Sequence, residues 1–262
     1  MKKKLPIILV VLLVIGAGIF AFTKLRSKPT VADETTKKKR IEEPTNIIAV
    51  EERPYVQIIP HSDGHNVSLK VNETKKDATS VEYELEYQAG SLLQGAFGQL
   101  SLDSLPAIKE ILLGSCSAGG ACSYHEDVRG GTLLTRFNGP ESYALKSRWK
   151  YIDNINDEMA FSSQDAKFQL ESTDLKKQRY LVIFNTAGYP DGLEGALVSE
   201  IYSLTSSGSL SGEAELTIRA EEEGELIIMG YDGAKWHEFK TTVDDKMATA
   251  EVELMELYVV VK

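Results

Sequence analysis

From Leu5 to Phe22 the chain runs without a charged side chain, directly behind Met1-Lys2-Lys3-Lys4. Wound as a helix at ~1.5 Å per residue, such a stretch is roughly 27 Å long, close to the hydrocarbon thickness of a bilayer. A backbone in that solvent must satisfy its own hydrogen bonds, which leaves a lone segment only the helical state. Gly16 and Gly18 are tolerated in a membrane helix. Pro6 falls in the first turn, where a missing N–H costs little. Residues 1–28 are therefore expected to form an N-terminal transmembrane helix. A cleaved signal peptide shares the basic start but has a shorter apolar part and a small-x-small site, which Ala21-Phe22-Thr23 matches poorly. Either way the chain is exported.

Cations stand on both flanks: Lys2 to Lys4 on one, and Lys24, Arg26, Lys28 and the run Lys37 to Arg40 on the other. A bare positive-inside count places the body in the cytoplasm. The signal-like N-terminus and the cysteine usage below favour the opposite side, and the expectation is a single-pass cell-membrane protein with its body outside the cytoplasm. Residues 29–48 read as a flexible charged linker, because so few large apolar side chains cannot offset the entropy of ordering. The run Lys37 to Arg40 is either a solvated part of that linker or a contact for anionic headgroups or an acidic wall polymer.

Residues 1–44 hold 10 Lys or Arg and 4 Asp or Glu, which leaves 19 and 35 of the chain's 29 and 39 for residues 45–262, a net charge of −16. A body that acidic lacks the basic footprint of nucleic-acid binding. Its length suits two domains of ordinary size. The polar patch Asn154 to Glu158 divides it into 49–155 and 156–262.

Both blocks are patterned for strands. Val81-Glu-Tyr-Glu-Leu-Glu-Tyr87 alternates apolar and acidic residues, the period of a strand with one buried face, and Val67, Leu69 and Val71 do the same. Further strands are expected at 133–137 and 148–152. In the second block they are expected at 167–170, 180–184, 198–204, 214–218, 225–229, 236–239, 248–254 and 257–261. Ser104 to Gly114 fits a helix capped by Ser104 with Pro106 in its first turn, or a strand. Many short strands, polar turns and little helix point to a mainly β body of two antiparallel β-sandwich domains.

On pattern alone the first block looks like an immunoglobulin or fibronectin-type sandwich. In the second, a strand at Tyr202 precedes a Ser/Gly turn, Leu216-Thr-Ile218 forms another, Tyr231-Asp-Gly-x-x-Trp236 reads as a hairpin, and Glu256 to Lys262 closes the chain. From Ile201 to Lys262 this resembles the zona-occludens/UNC-type β-sandwich. The resemblance implies a structural or interaction module and brings no catalytic residues.

Cys116 and Cys122 are the only cysteines, in Gly114-Ser-Cys-Ser-Ala-Gly-Gly-Ala-Cys-Ser123. The small residues between them let the chain fold back, so a disulfide across the loop is expected, which fits an oxidising compartment. Redox enzymes and zinc sites favour the tighter CxxC spacing. His61, Asp63 and His65 would share a face if that segment were a strand and could then hold a divalent ion. Asp63-Gly64 reads equally as a turn, and His125-Glu126-Asp127 is a second local group. Acidic loops at Asp191-Gly192 and Glu221 to Glu223 lack calcium-loop spacing. Gly208-Ser-Leu-Ser-Gly212 has Leu210 where a nucleophile elbow carries serine, and reads as a strand connection. Trp149, Tyr151, Trp236 and Phe239 serve either sugar stacking or the core. No catalytic, cofactor or metal residue is assigned. The expectation is a non-catalytic binding, adhesion or envelope-assembly module whose partner is a protein or an envelope polymer. The alternative is an envelope enzyme, for example a glycan-acting one, with a loop-borne site.

Overall fold

The computed structural model describes residues 43–262, in which helix is limited to two 3-10 turns, Val50–Glu52 and Asp174–Lys177. The first block supplies β1 (Tyr55–Pro60), β2 (Asn66–Glu73), β3 (Ser80–Ala89), β4 (Leu92–Ser101), β5 (Ala107–Leu112), β6 (Gly114–Cys116), β7 (Cys122–Tyr124), β8 (Val128–Asn138) and β9 (Tyr143–Asp153). The second supplies β10 (Ala160–Ser162), β11 (Phe168–Glu171), β12 (Tyr180–Thr186), β13 (Ile201–Ser206), β14 (Glu213–Arg219), β15 (Ile227–Tyr231), β16 (Trp236–Phe239), β17 (Thr242–Asp244), β18 (Met247–Glu253) and β19 (Leu257–Val261). These strands pair antiparallel, so the body is mainly β, as its alternating patterns predict. The expected transmembrane helix at 1–28 and residues 29–42 of the linker lie outside the described residues. Among the described residues no helix is long and apolar enough to cross a membrane.

A nine-stranded sheet in the order β16-β15-β19-β13-β12-β9-β8-β3-β4 runs through the body. On one face the three-stranded sheet β1-β2-β5 packs over β3, β8, β9 and β12, burying Ile58, Leu69, Leu85, Phe137 and Trp149 with their neighbours. On the other face the five-stranded sheet β10-β11-β14-β18-β17 packs over β12, β13, β15 and β19, burying Phe168, Leu216, Tyr202 and Tyr258. Strand β12 belongs to both cores. Val182 and Phe184 point into the first and Leu181 and Ile183 into the second, because successive side chains of a strand alternate between faces. That is why β12 reads Tyr-Leu-Val-Ile-Phe, unbroken by polar residues, while β3 reads as a clean alternation with Glu82, Glu84 and Glu86 on its outward face.

The boundary suggested at 155/156 falls in the loop between β9 and β10. It separates neither the sheet nor the first core: β9 pairs with β12 from Asp153 opposite Tyr180 to Trp149 opposite Phe184, and Val182 and Phe184 of β12 pack in that core. Residues 41–262 cluster as one unit. Ser104 to Gly114 resolves as strand: β5 pairs with β2, Ile111 opposite Val67, and not as a helix. Strands β1 and β4, each at the edge of its sheet, escape the pattern reading, as do the short β6, β7, β10 and β17. Strand β4 turns Gln94, Ala96 and Gly98 toward the core opposite Tyr87, Leu85 and Tyr83, so small residues face large ones and no apolar/polar alternation results.

Candidate functional site

Two clefts open where the five-stranded sheet ends and leaves the outward face of β9 uncovered. Side chains two apart on a strand share a face, so Lys146, Arg148, Lys150 and Ile152 of β9 line up beneath both openings.

The first cleft, about 920 Å³, is lined by Lys150, Tyr151, Asp153, Glu158, Tyr180 and the segment His125 to Arg129. Lys150 reaches across it, its Nζ donating to the Ser162 carbonyl at 2.9 Å and to Ser162 Oγ at 3.3 Å. Desolvation pushes the Lys150 ammonium below its usual range, against the opposing pull of Glu158. The rim gathers His65 and His125 from distant parts of the chain, each engaged by an aromatic group. The His65 ring stacks on Tyr124 with centroids 3.9 Å apart, and His125 Nδ1 lies 2.9 Å from the Tyr87 hydroxyl.

The sequence groups His61, Asp63 and His65, but the structure separates their roles. Asp63 Oδ1 accepts from the backbone N–H of His65 and of Asn66 at 2.8 and 3.1 Å, and Oδ2 accepts from Asn66 Nδ2 at 2.7 Å. The aspartate therefore serves its own turn, with Gly64 at φ +70° and Tyr180 packed where a Cβ would stand. His61 Nε2 sits 2.8 Å from Ser68 Oγ. Among the described residues no group of three or more His, Cys, Asp or Glu is placed to hold a metal ion.

The second cleft, about 970 Å³, lies beyond the turn at 163–167 and is lined by Lys146, Arg148, Thr132, Lys167, Asp165, Asn185, Arg53, Glu51, Glu200 and Glu221, with others. Its polar floor is built from the turn between β10 and β11 and from strands β12 and β13. Asp165 accepts from Ser163 Oγ, from the Lys167 N–H at 3.2 Å, from Asn185 Nδ2 at 3.0 Å and from the Tyr202 hydroxyl at 3.1 Å. Burial alone would raise the Asp165 carboxyl. The four donors outweigh burial and hold it below the usual carboxylate range. The same neighbourhood, desolvation first and the Asp165 charge second, drives the Tyr202 phenol far above its ordinary value. Asn185 is 8% exposed, and its Oδ1 has no hydrogen-bond partner. Because Nδ2 is committed to the carboxylate, turning the amide over would not relieve that oxygen.

The cations over this floor are among those of the body that form no ion pair among the described residues, as are Lys70, Lys109, Arg129 and others elsewhere. Lys75, Lys76, Arg136, Arg179 and Lys262 are each ion-paired within the body. Lys146, Arg148 and Lys167 have no ion pair among the described residues. Arg53 is held by the carbonyls of Ile48 and Asn46. Sequence reading missed this group because its members are scattered through three segments, and only the period-two spacing of Lys146, Arg148 and Lys150 hints at it.

The remaining candidates have structural employment. Cys116 and Cys122 form the expected disulfide, tying β6 to β7. Trp149 is fully buried and donates Nε1–H to the Glu86 carbonyl at 3.2 Å, and Tyr151 is buried beside it. Trp236 and Phe239 are half-buried in the Tyr231–Trp236 hairpin. There His237 and the backbone N–H groups of Lys235 and Ala234 hold the Asp232 carboxyl far below its usual range. Asp191 pairs with Lys75, and Glu222 with Lys262 at 2.9 Å. Gly208 to Gly212 connects β13 to β14. No family model, curated protein or solved structure matches the chain.

Proposed function

We propose that this protein is a membrane-anchored, extracytoplasmic, non-catalytic binding module that takes a polyhydroxylated anionic polymer of the cell envelope into the cleft over Asp165 and Asn185. The observation that carries the reading is the convergence of Lys146, Arg148 and Lys167, unpaired among the described residues, in a body whose net charge is −16. A ligand carboxylate or phosphate would meet these cations as charge-assisted contacts. Hydroxyl groups would donate to Glu200 and Glu221 on the same lining. A purely anionic ligand would meet the carboxylates and be repelled, which is why a hydroxyl-bearing one is favoured. The resemblance of the C-terminal block to an interaction module points the same way.

The test is titration of the full-length protein with polygalacturonate and with neutral dextran. Polygalacturonate should bind and weaken with salt, and Lys146→Ala with Arg148→Ala should reduce its affinity by about tenfold or more, on the order of 1.4 kcal/mol. Equal binding of the two polymers, or indifference to the double substitution, would refute the reading.

The membrane and export parts of the proposal rest on residues 1–28 and on the Cys116–Cys122 bridge, since disulfides persist in oxidising compartments. Intact mass of protein extracted from membranes should be that of the full chain, with thiol alkylation only after reduction. Two thiols reactive without reductant would place the body in the cytoplasm.

A glycan-acting enzyme is the second reading, favoured by one observation: the first cleft brings Glu126, Asp127, Asp153 and Glu158 around Lys150. Hydrolysis of the bound polymer, lost on Glu158→Gln, would move the assignment there.

A further inference from the structure

Residues 43–53 run along the second cleft as a strap, and Thr45, Asn46, Ala49, Val50, Glu51 and Arg53 line it. The strap is tied to β9, the strand that carries Lys146 and Arg148. The Asn46 N–H donates to the Ala144 carbonyl at 3.0 Å, beside a parallel bridge between Thr45 and Ala144. The Asn46 side chain then grips the Lys146 backbone in both directions. Its Nδ2 donates to the Lys146 carbonyl at 3.0 Å, and its Oδ1 accepts from the Lys146 N–H at 2.9 Å. The Arg53 guanidinium folds back over the strap, donating from Nη2 to the Asn46 carbonyl at 3.0 Å and from Nε to the Ile48 carbonyl at 3.1 Å. Asn46 thus links a cation of the strap to a cation of β9. Glu51 and Glu200 act on Arg53 through their charge, but neither forms an ion pair with it, and Nη1 is left for an anion.

Little apolar burial secures the strap. None of residues 43–53 is fully buried, Ile47 is 71% exposed, and only Ile48 borders a core. Its other ties are ion pairs, Glu43 with Arg136 at 2.9 Å and Glu52 with Lys76 at 3.5 Å. Segments with so few buried apolar contacts open locally at a fraction of the global free energy. One end is fixed, because Tyr55 is buried in β1 and Gly188 admits the Arg53 carbonyl where a Cβ would stand 2.4 Å from it. The other end continues into residues 1–42, which hold the proposed anchor.

We propose that residues 43–53 are a hinged wall of the cleft, with Arg53 a further anion-binding residue and Asn46 the positioning residue that couples docking of the wall to occupancy. This rests on the reading of the cleft as a site for a polyhydroxylated anionic polymer. A polymer carboxylate on this lining meets Lys146 and Arg148 of β9 and Arg53 of the strap. With the strap lifted, only the cations of the body remain. The polymer therefore has the higher affinity for the docked wall and shifts the population toward it. The coupling is reciprocal: polymer holds the strap down by the factor by which the docked strap tightens polymer. Because the strap also joins the body to the anchor, an occupied cleft firms that attachment.

The experiment pairs amide exchange of the full-length protein in detergent micelles with titration of polygalacturonate. Saturating polymer should slow exchange at Asn46, Glu52 and Arg53, whose N–H groups bond to the Ala144, Ala49 and Val50 carbonyls, by about fivefold or more. Asn46→Gly isolates the side-chain grip. Asn46 stands at φ +61°, which glycine adopts freely, so the substitution removes the amide without straining the backbone. It should speed exchange of the strap and weaken polygalacturonate by about fivefold or more, with the far-UV spectrum and Tm unchanged. Arg53→Lys should retain more affinity than Arg53→Gln. Binding that needs Lys146 and Arg148 but ignores Asn46→Gly, or leaves strap exchange unmoved, would overturn the inference and leave the cleft reading standing. So would a fall in Tm for Asn46→Gly, which would make the strap part of the fold. No binding of polygalacturonate at all would sink the cleft reading and this inference with it.

Discussion

Phe184→Ala is expected to destabilise the body by about 3–5 kcal/mol, the usual cost of removing a fully buried aromatic ring, and to weaken both cores together. Phe184 is 1% exposed and packs in the core beneath β1-β2-β5. Its backbone holds β12 between β9 and β13, opposite Trp149 and Ser203. The neighbouring Ile183 belongs to the other core, so a shift of β12 that fills the cavity on one face disturbs packing on the other. In a unit of this size the loss corresponds to on the order of 10 °C in Tm. Far-UV circular dichroism and tryptophan fluorescence should report one transition in the natural protein and one, lowered, in the variant. Trp149 reads the first core and Trp236 the margin of the far half of the sheet, so Trp149→Phe and Trp236→Phe separate the two signals. Two transitions, only one of them moved, would show that the blocks unfold as independent domains.

That experiment also bears on what the sequence makes legible. Strands whose two faces differ announce themselves: β3 alternates, and so do β2 and β14, since one side meets a core and the other water. Strand β12 has cores on both sides and shows only as an apolar run, from which a strand follows but not that two cores share it. The polar patch Asn154 to Glu158 falls in a loop, and polarity in a loop says nothing about which strands pair or which cores are shared across it. Strand β4 is silent because its inward side chains are small.

The clefts were less legible than the fold. His65 and His125 meet at one rim because β2 and the end of the β6–β7 hairpin lie side by side, a tertiary fact with no trace in local spacing. Asp63, by contrast, is legible, since Asp-Gly before a strand is turn chemistry and its carboxylate is used for that turn. Asp165 offered no signal at all. Its partners come from β12, β13 and its own turn, 37 residues apart at the widest.

Asp165→Ala is the second substitution expected to have a large effect, on the order of 2 kcal/mol, because it removes the acceptor that two buried donors share. Tyr202 is fully buried and Asn185 nearly so, and both donate to Asp165 Oδ2. Asp165→Asn keeps an acceptor and removes the charge, so it should cost less and reveal the pH dependence. The folded carboxyl sits below its unfolded value of about 3.9. Its contribution is therefore complete above that value, and is lost as the pH falls through about 4 toward the folded pKa. Denaturant midpoints of the natural protein and Asp165→Asn should differ most at neutral pH and converge on acidification below about 4. A constant difference across that range would mean that the carboxylate charge is not what the floor depends on. Asp165 also fixes the Asn185 amide with Oδ1 left over, so either substitution frees that side chain to turn. If the cleft binds hydroxylated anions, Asp165→Asn should strengthen polygalacturonate in the folded protein, since it removes a negative charge from the lining while leaving the cations of β9 intact. Unchanged affinity would leave the cations as the whole of the site.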